Sequence, residues 1–124
     1  MITNYFLLYF SALIISFSIL GYGFLLSRII DKDLSSYNLG YQGLLGILFL
    51  TFISYLTIFF MKHGYIHNII VHIIGISSFI IYFKKKFTFT EIKKYIILFS
   101  ILFVGLLIIR NHDDFNYYHL TYSL

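Results

Sequence analysis

The chain has 124 residues, 60% of them hydrophobic and 11% charged, a net charge of +4, and neither cysteine nor proline. So much apolar surface cannot be hidden inside a water-soluble globule of this size. The basic residues are scattered between apolar runs and form no single basic face, which argues against nucleic acid as a partner, and the lack of cysteine excludes disulfides and thiolate metal sites.

Crossing the hydrocarbon of a bilayer takes about 20 apolar residues in a helix, the one local conformation that satisfies its own backbone there. Four runs meet or approach that length, over residues 5–27, 39–61, 66–83 and 92–109. They predict an all-α integral membrane bundle of about four transmembrane helices in one domain, followed by an interfacial segment over 111–124. The first run lacks a basic start and a small-residue cleavage site, so it reads as a retained helix rather than a signal peptide. The second opens with Gly40, Gly43 and Gly46 at three-residue spacing, a stripe that lets two helices approach closely. Gly21, Gly23, Gly75 and Gly105 are candidates for the same packing role.

His63 and His67 precede and open the third run. Their spacing of four would put both on one helix face, but Gly64 between them points to a turn, and two histidines without a further ligand are a weak zinc signal. No metal is expected there. His72 is an ionisable group within the run, with Ser77 and Ser78 beyond it. The simplest reading is a neutral imidazole hydrogen-bonded to a neighbouring helix. The fourth run is short, and its uncharged part, 95–109, reaches across only if Lys93, Lys94 and Arg110 snorkel from its ends.

Lysine and arginine accumulate in cytoplasmic loops. Arg28 and Lys32 follow the first run, and Lys84, Lys85, Lys86, Lys93 and Lys94 separate the third from the fourth; Lys62 and Arg110 fall on the other side. With four crossings, the N-terminus, the turn at 62–65 and the segment 111–124 lie outside the cytoplasm.

That last segment reads Asn-His-Asp-Asp-Phe-Asn-Tyr-Tyr-His-Leu-Thr-Tyr-Ser-Leu. A helix capped by Asn111 would carry Asp114 at its third position, with Tyr117, Tyr118 and Tyr122 as an interfacial aromatic belt. The same helix would align His112, Asn116 and His119 and set Asp114 four residues from Tyr118. Adjacent carboxylates repel, which raises the proton affinity of one of them and suits it to deprotonating a hydroxyl or, with its neighbour, to holding a divalent cation. Both readings fit the residues.

The run from Asn111 to Leu120 resembles the acidic motif in the external loop of GT-C type membrane glycosyltransferases, in particular bacterial polytopic proteins whose motif reads roughly Asp-Asp, three residues, Tyr-His, a hydrophobic residue, Pro-Tyr. Asp113, Asp114, Tyr118, His119, Leu120 and Tyr122 match, and Thr121 stands where the proline is expected. The resemblance implies a bacterial inner-membrane protein and a sugar donor on a polyprenyl phosphate. It also implies Asp113 or Asp114 as the catalytic carboxylate, a divalent cation as one cofactor option, and His112, Tyr118 and His119 as substrate-positioning groups. In that family the motif follows the first helix; here it follows a fourth run and lies within fourteen residues of the last one, Leu124. The chain is therefore read as the N-terminal portion of such an enzyme. The competing reading is a small non-enzymatic membrane protein, an accessory or transport subunit, whose acidic segment caps a helix or holds a cation.

Overall fold

The computed structural model describes residues 2–30, 38–86 and 88–108. Four α-helices account for nearly all of them: α1 (Ile2–Ile30), α2 (Leu39–Thr57), α3 (Tyr65–Lys86) and α4 (Phe89–Ile108). There is no strand among the described residues. Three stretches are long and apolar enough to cross a membrane, Asn4–Ile30, Leu39–Thr57 and Tyr65–Phe83. The expected fourth span is present as a helix but is not one of these, because Glu91, Lys93 and Lys94 occupy its first turns. Its uncharged part, residues 95–108, is only about 21 Å long at 1.5 Å per residue, against about 30 Å of hydrocarbon.

Local chemistry explains where the helices differ from the expected runs. Asn38 starts α2, its side-chain oxygen accepting from the Tyr41 N–H at 2.9 Å. α2 stops at Thr57, four residues short of the expected end, as the backbone tightens into successive turns through Met61, whose N–H reaches the Thr57 carbonyl at 3.0 Å. That stretch, Ile58 to Met61, is apolar, so hydropathy alone extends the helix through it. α4 begins before the expected residue 92 because Thr88 and Glu91 form a capping pair, with the Thr88 N–H donating to the Glu91 carboxylate at 3.0 Å. The Thr-x-x-Glu spacing carries that boundary in the sequence itself.

The first compact unit covers residues 1–92. In it α1 is central and packs against both α2 and α3. A Cβ added at Gly23 would overlap the Gln42 backbone, and one at Gly46 the Ile19 carbonyl, so α1 and α2 run antiparallel. His72 meets Ser18 and Tyr82 meets Arg28, so α1 and α3 run parallel. Arg28 donates to the Tyr82 hydroxyl at 2.9 Å and lies over that ring, 5.3 Å from its centroid. The C-terminal ends of α1 and α3 therefore share one end of the unit. Of the predicted glycine stripe, Gly46 is so close to α1 that an added Cβ would overlap its backbone, an added Cβ at Gly43 would lie 3.8 Å from a Leu20 methyl, and one at Gly40 would meet only its own cap. Gly21 and Gly75 meet each other, on the face of α1 turned to α3.

What is buried is unusual in kind. Ser18, Ser27, Gln42 and Tyr22 are almost fully enclosed, and Gly21, Gly23, Gly46 and Gly75 are buried with them, while Leu7, Leu48, Phe60 and Ile66 are among many large apolar side chains left outside. The second unit, residues 93–124, is described over α4, where Tyr95, Phe99 and Phe103 form a ladder of stacked rings 6.4 and 6.1 Å apart.

Candidate functional site

The predicted site residues His112, Asp113, Asp114, Tyr118 and His119 lie outside the described residues. Glu91 is the sole carboxylate among the described ones, and no group of three or more metal-ligating side chains gathers among them.

What the described helices bring together is a polar junction at the turn between α2 and α3. His63 lies in the turn and His67 in the first turn of α3, and their rings stack 4.3 Å apart and 10° from parallel. Both Nε2 atoms converge on the Thr57 hydroxyl, at 3.2 Å from His63 and 3.0 Å from His67. Thr57 Oγ1 also donates to the Ser54 carbonyl at 3.1 Å. The Thr57 hydroxyl is thus a shared partner of both rings, each ring's tautomer setting which atom donates. His67 Nδ1 lies 3.3 Å from the Asn68 side-chain oxygen, an acceptor for a ring N–H. The spacing of the two histidines was legible in the sequence; Thr57 as their common partner, ten residues before His67, was not.

His67 is 7% exposed, so loss of the Thr57 hydroxyl would leave its buried Nε2 without that hydrogen-bond partner. Thr57→Val should cost about 1–3 kcal/mol of stability, read as a lowered Tm in detergent. Thr57→Ser, which keeps the hydroxyl, should retain most of it.

His72 follows the simple expectation. Its Nδ1 lies 3.1 Å from Ser18 Oγ on α1, a cross-helix bond, while Ser78 turns back to its own helix and donates to the Ile74 carbonyl at 2.8 Å. Tyr22 likewise ties α1 to α3, its hydroxyl donating to the Val71 carbonyl at 2.8 Å.

From the His67 junction a groove of about 360 Å³ runs along α1, α2 and α3. Tyr22, Leu25 and Ile29 contribute from α1, Phe49, Ile53 and Thr57 from α2, and Ile70, Val71 and Ile74 from α3, with Met61 from the turn. The Tyr22 and Phe49 rings meet edge to face, 6.0 Å between centroids. The groove is apolar along its length and polar at one end, which suits a hydrocarbon chain far better than a charged substrate. Acid–base chemistry finds no carboxylate in its lining. No protein-family model matches the chain, and no curated protein or solved structure is significantly similar to it.

Proposed function

We propose that the chain is a multi-pass membrane protein whose helices carry the 111–124 segment to the outer aqueous face, where it serves as part of a GT-C-like glycosyltransferase. One observation about the helices supports the membrane setting above others: Gly21, Gly23, Gly46, Gly75, Ser18, Ser27, Gln42 and His67 are buried with only a few apolar side chains such as Leu20 and Phe24, while most leucines, isoleucines and phenylalanines face outward. In water that arrangement would leave much of the driving force for folding unused. In lipid, where tails are as apolar as leucine, association rests on close backbone approach and on cross-helix hydrogen bonds such as His72 to Ser18.

The transferase reading rests on the run from His112 to His119 and its likeness to the GT-C motif. In it, Asp113 or Asp114 takes the proton from an acceptor hydroxyl as that oxygen attacks the anomeric carbon, and the polyprenyl phosphate departs from the sugar. His112, Tyr118 and His119 orient phosphate or acceptor by hydrogen bonds, alone or with a divalent cation held by the carboxylates. A second reading, a non-enzymatic membrane subunit, is favoured by one fact: the described helices offer a single carboxylate, Glu91, and an apolar groove.

The side on which residues 111–124 emerge depends on α4 crossing the bilayer, and the absence of native cysteine makes this testable. Ser123→Cys should react with a membrane-impermeant maleimide added to intact cells, whereas Lys85→Cys should react only after permeabilisation. Labelling of both from the same side would mean that α4 does not cross, and the transferase reading would fail with it.

A further inference from the structure

Thr57, Met61 and His67 line one end of the groove, and the chain continues from that end through Lys62 and His63. Lys62 and His63 are exposed there. The sole described carboxylate, Glu91, follows the opposite end of α3. A volume of about 360 Å³ lies at the small end of the range for ligand pockets, and an apolar channel with one cationic mouth is complementary to an amphiphile with an anionic head.

We propose that this groove seats one acyl chain of an anionic phospholipid, with the chain lying between α2 and α3 over Tyr22 and the phosphate resting against Lys62 and His63. Charge complementarity selects this occupant. A zwitterionic lipid would bring its own cation to the same mouth, and a helix from a second copy would leave Lys62 and His63 without an anion. His67 and Thr57 supply the polar end of the groove beside the headgroup. Seating a chain there also fills space between α2 and α3, which each pack on α1, so the lipid acts as a structural ligand of the bundle. The inference rests on the membrane setting proposed above, but not on the transferase reading.

The chain has no tryptophan, so a single introduced indole is a clean reporter. Phe49→Trp places it in the groove wall, and Leu48→Trp, at a position 65% exposed, places it on the outer face of the same helix. Each full-length variant is reconstituted in vesicles of phosphatidylcholine doped with either bromine-labelled phosphatidylglycerol or bromine-labelled phosphatidylcholine, and quenching gives the relative lipid affinity at each position. The Phe49→Trp reporter should favour phosphatidylglycerol about fivefold, the effect of one cation near the headgroup, and the Leu48→Trp reporter should show near parity. Lys62→Ala combined with His63→Ala should bring the groove reporter to parity while leaving it quenched. Ile70→Trp, on the opposite wall, provides a second reporter if Phe49→Trp does not fold.

Equal preference at both positions would reduce the groove to ordinary boundary lipid and overturn the proposal. Quenching at position 48 but not 49 would overturn it as well, showing the groove covered by a second copy or another part of the protein. Absence of quenching at both positions would remove the membrane setting itself, a distinct outcome.

Discussion

Gly75→Leu should part α1 from α3, with a loss of about 3 kcal/mol and a correspondingly lower Tm in detergent, near the top of the range for overfilled contacts. The reason lies in what the new side chain meets. A Cβ at Gly75 would overlap the Ser18 hydroxyl and backbone, and one at Gly21 would overlap the Gly75 carbonyl and crowd the Phe79 N–H. A flexible side chain can swing aside; a helical carbonyl cannot, so the helices must move outward. Separation would also stretch the bonds from His72 to Ser18 and from Tyr22 to the Val71 carbonyl, leaving polar groups in hydrocarbon. Gly21→Leu should behave alike. Gly105→Leu is the control, since nothing among the described residues lies within 4 Å of a Cβ there, and it should change the Tm little. Equal effects at Gly75 and Gly105 would show that close α1–α3 approach does not hold the bundle.

Sugar transfer is expected to fall by about 10²–10⁴ when Asp113 or Asp114, whichever is the base, becomes asparagine, the usual contribution of a positioned proton acceptor. Asparagine keeps the shape and most hydrogen bonds of aspartate but takes no proton, so protein abundance in the membrane should be unaffected. The assay is transfer from a polyprenyl-linked donor by membranes holding the protein in its active form. Two adjacent carboxylates need not share the loss. One that acts as the base should reduce kcat, and one that only binds a cation should respond to raised divalent ion concentration. Wild-type rates in both Asp113→Asn and Asp114→Asn would dismiss the assignment of the catalytic carboxylate, whatever side the segment occupies.

How far the sequence carried the fold is clearest at particular residues. Asn38 before α2 and the Thr88–Glu91 pair before α4 are local signals, because a cap is made with neighbours in sequence. The early end of α2 at Thr57 was hidden, since the residues after it are as apolar as those before. The glycine stripe was half legible: Gly43 and Gly46 face α1, but Gly40 does not, and the closest contact involving Gly75 is with Gly21. Residues 111–124, which carry the predicted chemistry, lie outside the described residues, so Asp113 and Asp114 stand on the sequence resemblance.

By itself the sequence determined that the described part of the chain is helical, that three of its apolar runs are of membrane-crossing length, and that its cations cluster between particular runs. Each of these follows from composition and from hydrogen bonds closed within a single helix. The tertiary structure decided that α1 is the centre of its unit, that Thr57 joins His63 to His67, and that an apolar groove ending at Thr57 and His67 lies along the helices. Those facts depend on which face of each helix turns inward. A helix apolar on nearly every side has no hydrophobic stripe to announce that face; it is chosen by close backbone approach and polar pairing between residues far apart in the chain.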